Sequence, residues 1–290
     1  CCSPRRDASG RSWHPEDVGN EECARTAADI PGARAVVTTQ TGLDGRPGRF
    51  RACNGRWAVG AHLGAILGSA AAIRVVGLTR ESFWVDEVIT YNLTGRLGGA
   101  VLPAVADGIH PPLYFLGAAG WRELFGSSEA AVRSYSVVWG LVAVVATMLL
   151  ASAVARRRTV WLWAGWLAAL SPLAVYFAQE ARMYAQASAL VAVSSWALVV
   201  WIDRRARPER TWLWAFLYVV SVAALLLTHY VGIVVALAHG LAVAAVALRR
   251  RDPGLVVRYT AAAVAVAAMF APWLATVLSH RSSLYRSSDL

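Results

Sequence analysis

Charge is scarce in this sequence. Only 16% of its 290 residues are Asp, Glu, Lys or Arg, against about a quarter in soluble domains. Hydrophobic residues make up 57%, and they are unevenly placed: residues 1–56 are polar and rich in Arg, Gly and Asp, whereas 57–278 are dominated by runs of Ala, Val, Leu and Trp. Cysteine is missing from that apolar part. All four (Cys1, Cys2, Cys23 and Cys53) lie in the polar stretch at spacings that fit no zinc pattern, so no disulfide or metal framework supports the fold. An Arg-then-apolar-then-small signal peptide is also lacking, and the chain begins with Cys. Residues 1–56 read as a disordered or non-native tail, and with a C-terminus just after a hydrophobic run the sequence is expected to be a fragment.

The hydrophobic runs are long. About 18 or more apolar residues are needed for a helix to cross roughly 30 Å of hydrocarbon, and such runs fall near 57–78, 132–154, 160–178, 185–202, 211–228, 230–248 and 256–278. The expected fold is therefore an all-α polytopic membrane protein with about seven spans. A net charge of +10 raises nucleic acid as a partner, but the basic residues sit in short connections: Arg156 to Arg158, then Arg204, Arg205, Arg207 and Arg210, then Arg249 to Arg251. Clusters placed this way orient spans with the positive loops cytoplasmic. They are not interleaved with stacking aromatics, so nucleic-acid binding is excluded.

Topology then follows from parity. The three Arg clusters are each two spans apart and share a side. Arg49, Arg51 and Arg56 join it only if the apolar segment 111–121, half a span long, does not cross. The long loop 79–131 is thus expected outside the cytoplasm, carrying surface helices, together with the turns at 179–184 and 228–230 and the tail 279–290. Trp161, Trp163, Trp201, Trp212 and Trp214 fall near the cytoplasmic ends, where an aromatic belt anchors spans. Arg74 is read as snorkelling from the first span, and His62 and His239 as packing residues.

Four polar motifs gather at the extracytoplasmic face. "SFWVDEV" sets Asp86 and Glu87 beside Phe83 and Trp84, whose apolar bodies suit the interface and would desolvate a carboxylate into a better general base. In "GIHPPLYF", His110 precedes a proline-started helix, whose free N–H groups favour phosphate. "YFAQEARMYA" places Glu180, Arg182 and Tyr184 in a tight turn between spans, as a functional set or a plain Glu180–Arg182 pair. "LLLTHYVG" adds His229 in the next outer turn.

These motifs, with "FGSSEAAVRSYS" and "SPLAVYFAQEARMY" between them, resemble the GT-C glycosyltransferases over residues 57–278, in the branch of protein O-mannosyltransferases and lipid A aminoarabinose transferases. The resemblance implies a GT-C-type helix bundle with 57–278 as its catalytic module, a polyprenyl-phosphate-linked sugar donor, and transfer to a protein, lipid or glycan hydroxyl. Asp86 would be the catalytic carboxylate with Glu87 beside it. His110, where some relatives carry Lys, would lie near the lipid phosphate, with Glu180, Arg182, Tyr184 and His229 completing the donor site. Phosphate is a good leaving group, so one base and cationic support suffice, and direct displacement inverts the anomeric centre. No cofactor is required. If a divalent cation takes part, Asp86 and Glu87 are its ligands, although two adjacent side chains make an incomplete shell. The Ala-, Arg- and Trp-rich composition points to a GC-rich bacterium and its inner membrane. A transporter or flippase is the alternative, and it would want ionisable groups or broken helices at mid-depth.

Overall fold

The computed structural model describes residues 49–95, 101–106, 110–203 and 211–287. The tail 1–48 and the Arg204, Arg205, Arg207 and Arg210 cluster lie outside the described residues. Every regular element among those described is a helix: α1 (Arg49–Val75), α2 (Val85–Thr94), α3 (Val101–Ala106), α4 (Leu113–Phe125), α5 (Glu129–Ala155), α6 (Arg158–Leu170), α7 (Pro172–Gln179), α8 (Tyr184–Ile202), α9 (Thr211–Leu226), α10 (Val231–Arg250) and α11 (Pro253–Ser287). Five of these, α1, α5, α8, α10 and α11, contain stretches long and apolar enough to cross a membrane. The pair α6 and α7 makes a sixth if its 53° bend is one broken span, while α9 is apolar but shorter. The chain is a multi-pass membrane protein. Of segment 111–121, residues 113–121 fall in α4, a 13-residue helix, too short to span.

Local sequence sets the boundaries. Ser128 caps α5 by accepting the Ala131 N–H at 3.3 Å, with Glu129 in the first turn, as a helix N-terminus favours. Gly126 ends α4 at φ 88°, a left-handed conformation that side chains resist. Between α6 and α7, Ser171 caps the new helix and Pro172 sits in its first turn. Proline has no N–H, so the carbonyl of Ala168 loses its helical donor.

Arg74 repairs that break, which corrects the reading of it as a snorkelling residue. It is 1% exposed. The guanidinium donates to Ala169 O at 2.9 Å and Ala168 O at 3.1 Å, and to Ala70 O in its own helix. The carbonyls of Ala168 and Ala169 belong to the negative end of α6, which suits a cation. In return, the Gln179 amide at the end of α7 donates to Ile73 O and Val76 O at the end of α1, both at 3.0 Å. Two helix ends thus close each other.

The helices of segment 79–131 dock on one end of the bundle. Tyr114, Phe115, Ala118 and Ala119 of α4 pack with Val101 and Val105 of α3, Met183 and Trp273. Burying a large apolar side chain is worth about 1.5–3 kcal/mol. The Leu113 N–H also donates to Leu227 O at 2.9 Å, joining α4 to the turn after α9. At the opposite end Arg156 pairs with Asp203, and Arg250 donates to Ile202 O at 2.7 Å. Of the expected belt tryptophans, Trp201 is instead buried, in a core with Tyr218, Val222 and Leu255. The two histidines part company. His239 is buried and meets Ser195 at 3.1 Å, whereas His62 is exposed and bonds Ala58 O of its own helix rather than packing against a neighbour.

Candidate donor site

The adjacent carboxylates Asp86 and Glu87 turn in different directions. Successive helix residues point about 100° apart, and here the second turns inward. Glu87 is 1% exposed and ties together three elements. Its Oε1 accepts from Arg133 Nε at 2.8 Å and from the Ala181 N–H at 2.8 Å, while Oε2 accepts from Arg133 Nη2 at 2.6 Å and the Trp84 N–H at 3.4 Å. A carboxylate offers about four lone-pair sites, and all are used. Glu87 therefore has nothing left for a metal or a substrate proton. Among the described residues no three His, Cys, Asp or Glu side chains gather in a way that would hold a metal ion.

Arg133 is equally saturated. Beyond Glu87 it donates to Leu78 O at 2.7 Å, Glu81 O at 2.8 Å and Ser82 O at 3.5 Å, and it lies 5.0 Å from the centre of the Phe83 ring. Its five N–H donors all have acceptors. The motif "FGSSEAAVRSYS" contains Arg133 without pointing to this role. The available signal was an arginine one turn into a long apolar helix, where an unpartnered charge is costly.

Asp86 remains at the surface, with 37% of its side chain exposed. Its partner is Arg182, whose Nη2 lies 3.6 Å from Asp86 Oδ2 and whose Nη1 donates to Asp86 O at 3.3 Å. Arg182 is buried, yet its Nε has no acceptor in the protein. The contrast with Arg133 is chemical: one guanidinium is fully used, while the other keeps a donor in hand beside a half-exposed carboxylate. The backbone of Arg182 is fixed as well, because Ser136 donates to Arg182 O at 3.3 Å and itself bonds Tyr114 at 3.1 Å. Next door, Tyr135 donates to Gln186 Oε1 at 3.1 Å, and Gln186 to Thr228 at 3.0 Å. Sequence alone singles out none of these supporting residues.

The remaining candidates gather around Arg182. His110 and His229 are half-buried, and both imidazoles titrate below their ordinary range. Burial is the main cause for each, and the Arg182 charge adds to it. His110 also feels His229, and Asp86 pulls it the other way. At neutral pH His110 is neutral here, so it adds no cation until an anion arrives. His229 accepts the Val231 N–H at Nδ1, 3.0 Å away, which leaves Nε2 as the protonated, donating nitrogen. The Tyr184 ring lies 6.0 Å from His229 and 4.8 Å from Phe177. The ion pair of Arg182 goes to Asp86 and not to Glu180, which is buried, and burial, the leading cause, raises its pKa.

An apolar hollow of about 710 Å³ begins near this end, lined by Leu226, Ile233, Leu237, Gly240, Tyr259 and Phe270 among others. Phe270 meets Tyr230, the neighbour of His229, edge-on at 6.5 Å.

No family model matches the sequence, and no curated protein matches it. Among solved structures, the fold is similar to the crystal structure of ArnT from Cupriavidus metallidurans bound to undecaprenyl phosphate, with a TM-score of 0.53 at 20% identity. The match covers 75% of this chain but 41% of that one, so the chain spans about two fifths of its structural neighbour. The likeness is one of fold.

Proposed function

We propose that this protein is a membrane glycosyltransferase that moves a sugar from a polyprenyl-phosphate-linked donor to an acceptor hydroxyl on the extracytoplasmic face. The observation that carries the reading is the Asp86–Arg182 pair: a half-exposed carboxylate beside a buried guanidinium whose Nε–H no protein group accepts. Arg182 would hold the donor's phosphate, with neutral His229 Nε2–H and His110 as further donors, and would stabilise charge as phosphate leaves. Asp86 would take the proton of the attacking hydroxyl. One base and direct displacement give inversion. The apolar hollow between α9, α10 and α11 would receive the polyprenyl tail, a reading supported by ArnT, the structural neighbour, which was solved with undecaprenyl phosphate bound.

Glu87 belongs to the framework in this reading and not to the chemistry. Seven spans are proposed, with α9 crossing as the shortest and loop 79–131 outside the cytoplasm. A transporter would need loose ionisable groups at mid-depth. Here Arg74 is bound by carbonyls at the end of its helix and His239 meets Ser195, each keeping one buried nitrogen without a partner, while Asp86, His110, Arg182 and His229 gather at one end of the bundle. The test is transfer of labelled sugar from a polyprenyl-phosphate donor in membranes carrying the protein. Asp86→Asn should lower turnover by about 10²–10⁴-fold, the usual worth of a general base, with unchanged folding. Near-wild-type transfer by that variant would reject the assignment.

A further inference from the structure

Away from the donor site, two hollows open along the seam where α5 lies against α8. The first, about 560 Å³, is lined by Leu67, Val138, Val142, Val145, Leu149 and Trp196 among others. The second, about 570 Å³, is lined by Ser152, Arg156, Val200, Asp203, Trp214 and again Trp196. On α5 the series Val138, Val142, Val145, Leu149, Ser152, Arg156 advances by three or four residues each time, so it forms one face. Trp196, Val200 and Asp203 do the same on α8. The two hollows share Trp196 and read as one furrow, apolar for most of its length and ionic at its mouth. From Val138 to Arg156 it runs about 27 Å at 1.5 Å per residue, more than the roughly 15 Å depth of one leaflet.

The mouth is built for a polar head. Arg156 ends α5 in the left-handed conformation (φ 51°), held there by its N–H on Ser152 O at 3.1 Å, and its guanidinium reaches Asp203. Trp196 and Trp214 meet edge-to-face at 5.0 Å. Indoles, with a polar N–H on an apolar body, suit the headgroup level. Among the described residues cations outnumber carboxylates at this end: Arg157 and Arg158 follow Arg156, and Arg249 to Arg251 lie here too, against Asp203 in the mouth and Asp252, which pairs with Arg258.

We propose that this furrow is a binding site for one anionic glycerophospholipid. Its phosphate sits at Arg156 and the Trp196 and Trp214 indoles, and one acyl chain runs along α5 past Leu149, Val145 and Val142 as far as Val138. The site is independent of the transferase reading, because its mouth lies at the end of the bundle away from Asp86.

The test is photo-crosslinking in bilayers of phosphatidylethanolamine with a minor share of phosphatidylglycerol, using diazirine-bearing analogues of each lipid and of polyprenyl phosphate. Peptide mapping should place the phosphatidylglycerol probe on 138–156 and 196–203, in excess of the phosphatidylethanolamine probe. Arg156→Gln should lower that labelling roughly tenfold, the worth of a charged hydrogen bond, while Asp203→Asn should leave it equal or higher. Val142→Trp, on the furrow wall, should block it for every probe. Equal labelling by the two phospholipids would mean ordinary surrounding lipid and overturn the proposal. Stronger labelling by polyprenyl phosphate, or labelling unchanged in either Arg156→Gln or Val142→Trp, would overturn it as well.

Discussion

Replacing Glu87 by Gln separates a structural clamp from a catalytic acid. The carboxylate is 1% exposed, and its acceptor sites take two N–H groups of Arg133, one of Ala181 and one of Trp84. Gln keeps the shape and one acceptor oxygen but turns an NH₂ toward donors. It also leaves the buried Arg133 without a counter-charge, with at most one amide oxygen and the carbonyls of Leu78, Glu81 and Ser82 to accept from it. Breaking a buried pair from one side costs about 3–5 kcal/mol, which for a domain of this size lowers the melting temperature by roughly 10 °C. Activity should fall with it, because the Ala181–Arg182 turn loses its anchor. Thermal unfolding followed by tryptophan fluorescence, beside donor binding, measures both. The double variant Glu87→Gln with Arg133→Gln should be about 1–3 kcal/mol better than the sum of the singles, since neither charge is then stranded. A Glu87→Gln protein that melts like the wild type but does not turn over would refute the reasoning and return Glu87 to the chemistry.

Four further outcomes follow from the same geometry. Arg182→Met should weaken donor binding at least about tenfold, and Arg182→Lys should recover only part of it, because a point charge replaces a fork of donors; equal affinity in all three would remove Arg182 from the phosphate site. Donor binding, measured by titration across pH, should tighten as pH falls from about 7 toward 5.5, since a phosphodiester raises the depressed His110 and His229 values and binding takes up protons. Stability has the opposite sign: the unfolded chain binds these protons more readily, so the melting temperature without donor should fall as pH drops below the unfolded value of about 6.5. Gly117→Ala should destabilise by about 1–3 kcal/mol, as its Cβ would run into the Tyr135 hydroxyl; an unchanged melting temperature would show that Tyr135 swings aside freely.

Membrane helices were the legible part of the sequence, because a span is written in one continuous segment. Their exact number was not, since it depends on a bend at Pro172 and on the 16 residues of α9. The candidate site was legible only as a set of segments, which the fold brings together: the charges of Asp86 and Arg182 and the His229 ring lie close enough to His110 to shift its titration. Roles within the set were not. Asp86 and Glu87 are neighbours with the same chemistry, and only the position of Arg133, 46 residues on from Glu87, decides which of them is consumed.

Arg74 makes the same point from the opposite direction. As a lone arginine near the end of an apolar run, its cheapest course is to reach for water. The cost of burying it is offset only if acceptors already exist that nothing else can satisfy, and Pro172 creates one nearly a hundred residues away by taking a donor from Ala168. Each residue alone looks like a defect: a charge in a span and a proline in a helix. Together they cancel, with Gln179 closing the other half. The bend they stabilise carries the chain directly into Glu180, Ala181 and Arg182, so the clamp on Glu87 and the free donor of Arg182 both depend on it. Pairings across such distances set what a charged residue does in this protein, and they are fixed by packing that a single segment does not record.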